Sequence, residues 1–243
     1  MAAEGWNLRR KSSLILVLAL LGGGWLGAAQ VPDPGDASLT STERLLALVE
    51  RMRIEQRGLR TLQASFAQTT ATDLLLEDEE SRGHFYYQAP DRVRWEYDAP
   101  DPKTIVINGD ELTTFYADLG RAEIRHVGKY SDAVFKYLGA SGSLETLMDY
   151  FKLIVRWPQT EADPYFVRLE PLYARVERRL KEMSVTIHGN LYVPVELEYV
   201  EPTGDSTQYR FSDFKVNQEI PADVFELDLP PEVEVHTVSG TGP

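Results

Sequence analysis

Hydrophobic residues recur along this chain with two different periods, and the change of period separates its elements. From Leu45 to Met52 the apolar positions follow helical spacing. Thr40 and Glu43 stand at the Thr-x-x-Glu spacing of a capping box, and Gly58 follows the last apolar turn. The pattern predicts an amphipathic helix that begins after Thr40 and ends at Gly58, with its apolar side against another apolar surface.

Beyond this helix the period becomes two, which is typical of half-buried β-strands. Val93, Trp95 and Tyr97 alternate with charged residues, and Phe85 and Tyr87 share a face of the preceding strand, so one face is apolar and aromatic. Turn sequences such as Asn-Gly-Asp separate the runs and indicate consecutive hairpins. The predicted strands are 62–72, 83–88, 92–97, 103–108, 111–116, 152–157, 165–170, 183–188, 193–200 and 207–216, with a further one at 233–237.

The middle of the chain returns to helical spacing. We predict two short helices over 131–138 and 143–151, joined at residues 139–142. The chain therefore has about ten strands and about three helices, a mainly β (α+β) composition. So many twisted strands in one antiparallel sheet must curl, and amphipathic helices over the concave side would enclose an apolar space. Side chains could fill that space or leave it hollow.

The N-terminus has the features of an export signal. Arg9, Arg10 and Lys11 precede a short apolar run, and the small residues Ala28 and Ala29 follow it. A membrane anchor is the rival interpretation, but only the first half of residues 12–29 is strongly apolar, whereas a bilayer span needs about 20 apolar residues. We predict a signal peptide over 1–29, a flexible leader over 30–39, one folded domain over 40–237 and a disordered tail over 238–243.

Charge and cysteine content narrow the choice of partners. The formal net charge is −13, and without residues 1–29 the chain keeps 22 basic and 37 acidic residues, a net charge of −15. Such a surface repels phosphate backbones and anionic lipid headgroups, so we expect neither a nucleic-acid partner nor polybasic docking on a membrane. The chain has no cysteine for a disulfide, a thiol mechanism or lipid attachment. We therefore expect a soluble exported protein.

The motifs associated with catalysis and cofactors have simpler explanations. A G-x-G-x-x-G match at 22–27 lies inside the predicted signal peptide, and Ser212 and Lys215 have S-x-x-K spacing within an alternating strand. The four histidines are far apart, and the acidic run 77–80 is explained as a solvated hairpin tip. We expect no metal, no cofactor and no catalytic residue. An enzyme stays an alternative because distant strands can supply catalytic carboxylates.

Ordered short motifs then resemble one family. Residues 62–68, LQASFAQ, resemble the first strand of the periplasmic lipoprotein carriers of the LolA type, which has a similar Phe-x-Gln. The resemblance covers about residues 45–235. It continues through GHFYY at 83–87, Pro90, RWEY at 94–97, Pro100, Asn108-Gly109, Gly204, Thr207, Phe211, Asn217, Ile220-Pro221, Phe225 and Pro230-Pro231.

The resemblance implies an unclosed half-barrel with the helices as a lid. Such a carrier binds the acyl chains of lipoproteins in the periplasm, receives them from an inner-membrane transporter and passes them to an outer-membrane acceptor. We expect a monomer. This sequence departs from the family at Thr69, where many carriers have an arginine thought to tie the lid to the barrel, and over residues 120–151. A LolA-like interaction or sensor module without shuttle activity is the alternative.

Strand parity and the resemblance together select the candidate ligand-binding residues. The candidates lie on the predicted wall of the enclosed apolar space and on the predicted lid. An equally simple interpretation is that the same side chains fill a solid core. The candidates are Phe66, Phe85, Tyr87, Val93, Trp95, Tyr97, Ile105 and Ile107 on the wall, and Val134, Leu138 and Leu147 on the lid.

Overall fold

The computed structural model describes residues 31–72, 77–126, 148–160 and 163–238, which form one twelve-stranded sheet with few helices. The helices are α1 (Ser41–Gly58) and α2 (Ala174–Glu177), and short 3-10 turns lie at Ala117–Leu119 and Ala222–Phe225. The strands are β1 (Thr61–Ala71), β2 (Glu79–Gln88), β3 (Arg92–Tyr97), β4 (Lys103–Asn108), β5 (Glu111–Tyr116), β6 (Arg121–His126), β7 (Phe151–Arg156), β8 (Tyr165–Pro171), β9 (Glu182–Ile187), β10 (Pro194–Val200), β11 (Ser206–Val216) and β12 (Glu234–Val238).

The sheet is open at both edges. Its strand order is β12-β6-β5-β4-β3-β2-β1-β11-β10-β9-β8-β7, and neighbours are antiparallel except for the parallel pair of β12 with β6. Among the strands that the structure describes, β12 and β7 lie at the two edges and do not pair with each other. The predicted fold class, a mainly β protein with an unclosed, curled sheet, is confirmed.

The strand that the sequence pattern missed is β6. Its alternating side chains on one face are Arg121, Glu123 and Arg125, which form ion pairs of 3.2 Å with one another. The opposite face presents Ala122 and Ile124. Because only two side chains of this strand are apolar, the alternation does not stand out from a loop.

Helix α1 matches its prediction. The Thr40 hydroxyl accepts a hydrogen bond from the Glu43 N–H at 3.3 Å, and the Thr40 N–H donates to the Glu43 carboxylate at 2.8 Å, which completes the capping box. The buried side of α1 lies against β8, β9 and β10. This first cluster includes Leu48, Val49, Met52, Tyr165, Val167, Leu169, Met183, Val185, Ile187 and Leu197.

The other two predicted helices fall mostly outside the described residues. Residues 127–147 are not described, so the helix over 131–138 stays a prediction. Of the helix predicted over 143–151, Met148 is helical, whereas Phe151 begins β7. The single turn of α2 was not predicted, because four residues are too few to show a periodic pattern.

The first cluster and a second cluster of buried residues, which includes Phe66, Phe85 and Trp95, lie on one continuous face of the sheet, which we call the inner face. Phe66 on β1 pairs with Phe211 on β11, and two residues further along these strands Gln68 pairs with Tyr209. Tyr209 in turn pairs with Leu197 on β10, and it packs against both clusters. The inner face therefore runs without interruption from β8 to β4.

The C-terminal segment covers part of the outer face. Arg94, which points outward from β3, donates to the carbonyl oxygen of Val224 at 3.1 Å and pairs with Glu96 at 2.7 Å. Phe225 is only 1% exposed. These contacts bury charged and aromatic groups on the side away from the inner face.

Asn217 joins the end of β11 to the link between α1 and β1. Its side-chain oxygen accepts the Arg60 N–H at 2.7 Å, its amide donates to the Gly58 carbonyl at 3.0 Å, and its φ is 55°. We expect Asn217→Ala to lower the free energy of unfolding by about 2–3 kcal/mol, because it removes both bonds and places alanine in the left-handed region.

Asn217→Gly separates these two contributions. Glycine adopts a positive φ without strain, so its loss should be smaller by about 1 kcal/mol. Urea unfolding monitored by circular dichroism measures both variants. An alanine variant as stable as the natural chain would mean that this junction does not hold α1 in place.

Candidate functional site

The wall candidates come together on the inner face. Seven of them belong to a second cluster of buried residues, and Ile105 is partly buried against it. Val134, Leu138 and Leu147 lie outside the described residues, so their placement stays a prediction. The seven are Phe66, Phe85, Tyr87, Val93, Trp95, Tyr97 and Ile107.

Trp95 lies at the centre of this second cluster. Its ring centroid is 4.9 Å from that of Phe66, 4.8 Å from that of Phe85 and 5.5 Å from that of Tyr209. The rings meet edge-on or tilted, as aromatic pairs prefer. Aromatic side chains therefore fill the inner face between β1 and β3.

A cavity of about 180 Å³ opens beside this aromatic packing, near the C-terminal end of α1. It is smaller than the roughly 300–1,000 Å³ of a drug-sized ligand pocket. Phe85 and Trp95 are the only wall candidates among its described lining residues. The other apolar lining residues are Leu59, Leu62, Ala64, Leu191, Tyr192, Val193, Pro194, Phe211, Phe214 and Val216, and the polar ones include Glu55, Gln56, Asn190 and Asn217.

The connection from β9 to β10 forms one wall of the cavity. The Nδ1 atom of His188 accepts the N–H groups of Asn190 and Leu191 at 3.1 and 3.3 Å. Tyr192 follows with φ of 52° and stacks on Tyr165, with ring centroids 5.9 Å apart. The histidine thus orders a turn that presents apolar residues to the cavity.

A β-bulge in β11 explains why the alternation of side chains along the strand did not predict part of this lining. The pairing with β1 shifts between Gln63 and Ser65, and Asp213 has φ of 56°. Both Phe211 and Phe214 consequently line the same cavity although they are three residues apart. A strict period of two places residues three apart on opposite faces, so the alternation of residues along β11 could not reveal the bulge.

The inner face around the second cluster is apolar and aromatic, with charge at its margin: the Lys103 ammonium lies 4.2 Å from the Tyr97 ring centroid, and Glu55 lines the cavity. The Tyr97 hydroxyl donates to the Gln68 side-chain oxygen at 2.9 Å. Burial raises the pKa of the Tyr97 hydroxyl, and burial together with the nearby Tyr97 raises the pKa of Tyr209 well above its usual range. Both phenols therefore stay protonated and neutral, which suits an apolar ligand.

Thr69, where the sequence departs from the LolA-type pattern, lies in the middle of the sheet. It pairs with Glu80 on β2 and Gln208 on β11, on the face opposite to Phe66. Among the described residues, no group of three or more histidine, aspartate or glutamate side chains is placed to hold a metal ion. Nor does the described part of the chain contain a helix that is long and apolar enough to cross a membrane.

An open, curled sheet with an apolar inner face and an amphipathic helix packed on it defines a class of β half-barrel proteins. Within that class, the chain belongs to the LolA family. The family model "Outer membrane lipoprotein carrier protein LolA" matches residues 57–228, which span the sheet from the end of α1 to beyond β11. This is a family of carriers rather than of enzymes.

Individual relatives agree with this assignment. An outer-membrane lipoprotein carrier protein from Alkalilimnicola ehrlichii is 30% identical over 181 residues, covering 74% of this chain and 79% of the relative. One from Chromohalobacter salexigens is 23% identical over 205 residues, covering 84% and 90%. The crystal structure of an uncharacterized conserved protein from Thermus thermophilus matches with a TM-score of 0.50 at 12% identity, covering 82% of this chain and 100% of that one, and shows the fold alone.

Proposed function

We propose that this protein is a periplasmic carrier that binds the acyl chains of lipoproteins on its inner face and carries them from the inner to the outer membrane. The observation that carries the proposal is the apolar inner face that continues from β8 to β4 beside a cavity. Relatives named outer-membrane lipoprotein carrier proteins support it. Family membership alone sets only the coarser role, a lipoprotein-binding carrier.

Binding a whole acyl chain requires the inner face to open. A cavity of about 180 Å³ has room for only part of a chain. Each buried methylene contributes roughly 0.8 kcal/mol, which can offset the loss of aromatic contacts worth about 0.5–1.5 kcal/mol each. The described structure is then the closed state, and the aromatic side chains around Trp95, or α1, move when the ligand enters.

Helix α1 has apolar residues on its exposed side as well. Leu46 is 54% exposed and Ile54 is 38% exposed, although the opposite side of the helix is buried against β8 to β10. An exposed side of this kind can line an opened site. We propose that Val134, Leu138 and Leu147 complete that site as a lid.

The remaining parts of the proposal follow from the sequence and the family. Residues 1–29 direct export, 30–39 form the leader, 40–237 the carrier domain and 238–243 the tail. The carrier acts as a monomer without catalysis, between an inner-membrane donor and an outer-membrane acceptor. The described lining residues of the cavity include no Lys or Arg and one carboxylate, Glu55, so the cavity suits neutral acyl chains better than anionic substrates.

One observation favours a second candidate, an interaction or sensor module. The aromatic packing around Trp95 leaves a smaller cavity than a ligand pocket of ordinary size. A module of this kind would bind its partner on the outside and would not need the inner face to open.

An acylated lipoprotein and its unacylated form, in which serine replaces the lipid-bearing cysteine, distinguish the two candidates. The carrier should bind the acylated form and bind the unacylated form at least tenfold more weakly, because the acyl methylenes supply most of the affinity. Equal binding of both forms would contradict the carrier and favour the interaction module. Surface plasmon resonance with detergent-free complexes measures this difference.

Matched leucine substitutions on β1 locate the bound chain. Ala64 is 5% exposed and lines the cavity, whereas Ala67 is exposed and three residues away on the other face. Ala64→Leu should weaken binding of the acylated form several-fold, and Ala67→Leu should leave it unchanged. Equal effects would place the acyl chain elsewhere.

A further inference from the structure

The connection from β8 to β9 brings exposed aromatic and cationic side chains together. Leu172 is 52% exposed, Tyr173 47% and the adjacent Tyr150 42%. The Leu172 N–H donates to the Tyr150 carbonyl at 2.9 Å, which fixes the two segments side by side. We call Tyr150, Leu172, Tyr173, Arg175, Arg178, Arg179 and Lys181 the α2 patch.

The conformation of the α2 patch is set by packing beneath it. Val176 and Leu180 pack against the first cluster, so the charged residues between them point outward. The Arg175 guanidinium lies 5.2 Å from the ring centroid of Tyr173 and 6.0 Å from that of Tyr150. A cation thus stands directly among exposed aromatic rings.

The α2 patch is also an exception to the charge of the chain. Residues 172–182 have four basic and two acidic residues, a net charge of +2, although the whole chain has a net charge of −13. The two acidic residues are Glu177 and Glu182. Within the described part of the chain, none of the ion pairs includes Arg175, Arg178, Arg179 or Lys181. All four cations are exposed, so an external anion can reach them.

We propose that the α2 patch docks the protein reversibly on an anionic phospholipid surface. Lysine and arginine are attracted to lipid phosphates, and tyrosine and leucine side chains enter the headgroup region beside them. An acidic protein surface would also pair with the cations, but it would leave the three exposed apolar side chains beside them unexplained. The acidic remainder of the surface would be repelled by the lipid, so this patch also sets the orientation of docking.

Docking at this patch leaves the cavity clear of the membrane surface. The α2 patch precedes Glu182 at the start of β9, whereas cavity residues Leu191 to Val193 follow Ile187 at its end. The six residues of β9 separate the two by roughly 20 Å. Membrane docking and ligand binding are therefore distinct properties, and each can be lost without the other.

Vesicle sedimentation tests the proposal with protein purified from the exported fraction. We expect binding to vesicles of phosphatidylglycerol and phosphatidylcholine at low salt, weaker binding at about 0.5 M salt, and little binding to phosphatidylcholine alone. Arg178→Glu with Arg179→Glu should weaken binding at least tenfold. Arg210→Glu with Lys215→Glu, two exposed cations on β11, makes the same change of net charge and should have little effect.

Three results would overturn the proposal. The first is that the natural chain does not bind anionic vesicles, or binds phosphatidylcholine vesicles equally well. The second is that the control variant with Arg210→Glu and Lys215→Glu loses as much binding as the variant with Arg178→Glu and Arg179→Glu. The third is binding to soluble polyglutamate without any binding to vesicles, which would indicate an acidic protein partner. The variant with Arg178→Glu and Arg179→Glu should still bind the acylated lipoprotein. Failure of membrane docking is therefore distinguishable from failure of the proposed function.

Discussion

Replacing Gly83 by alanine should prevent folding or lower the free energy of unfolding by about 3 kcal/mol or more. A Cβ atom at this position would lie 1.8 Å from the carbonyl oxygen of Glu96 and 2.9 Å from the Phe66 ring. The first of these atoms is backbone of the neighbouring strand β3, so it cannot rotate away. Relief of the clash requires β2 and β3 to separate beside the second cluster.

Gly58→Ala is the matched control for this variant. An added Cβ at Gly58, the last residue of α1, meets nothing within 4 Å. We expect a change within about 1 kcal/mol, because alanine is also the better helix former. Circular dichroism and urea unfolding compare the two variants. A folded Gly83→Ala variant with the stability of the Gly58→Ala variant would mean that β2 and β3 do not approach as closely as described.

Trp95→Ala should lower the free energy of unfolding by about 3–5 kcal/mol. The side chain is 5% exposed and contacts four aromatic rings, those of Phe66, Phe85, Tyr209 and Phe211. Alanine loses both the buried area and the packing, and the neighbouring rings can only partly close the space. Trp95→Phe keeps an aromatic ring and should lose less than half as much.

Tyr173→Ala controls for the removal of an aromatic side chain. Tyr173 is 47% exposed, so its loss should change stability by no more than about 0.5 kcal/mol. Unfolding followed by far-ultraviolet circular dichroism avoids the change in tryptophan fluorescence. A loss below about 1 kcal/mol for Trp95→Ala would show that the inner face is already hollow there, without close packing.

The sequence predicted those elements whose signal is local. The capping box at Thr40 and the turn at Asn108-Gly109 each depend on a few neighbouring residues, and both are in place. The alternation of side chains correctly placed Phe85 and Trp95 on one face, because β2 and β3 pair without a bulge. The ordered motifs that begin at residue 62 also pointed to the correct family.

Features that depend on distant pairing could not be predicted in this way. The bulge opposite Ala64 exists because β1 pairs with β11, some 150 residues away in the sequence, and it brings Phe214 into the lining. Val193 reaches the cavity through the turn that His188 orders. The volume left between these side chains is a property of their packing, so alternation along strands carries no information about it.

The α2 patch illustrates a limit of reasoning from net charge. From the net charge of −13 alone we expect no polybasic docking on anionic lipid, yet a short connection can have the opposite sign. At physiological salt charges more than about 8 Å apart are largely screened, so the local sign decides which surface approaches the membrane. Only the placement of Tyr150 beside Tyr173 joined these residues into one surface.

Photo-cross-linking of a bound acyl chain tests the central claim most directly. A lipoprotein whose acyl chain has a diazirine near its end is bound, irradiated, and mapped by mass spectrometry. The account predicts labels on the inner face, at Leu62, Phe85, Trp95 or Phe211 and at the exposed side of α1. Labels confined to the outer face or the α2 patch, or no label at all on the inner-face residues, would contradict it.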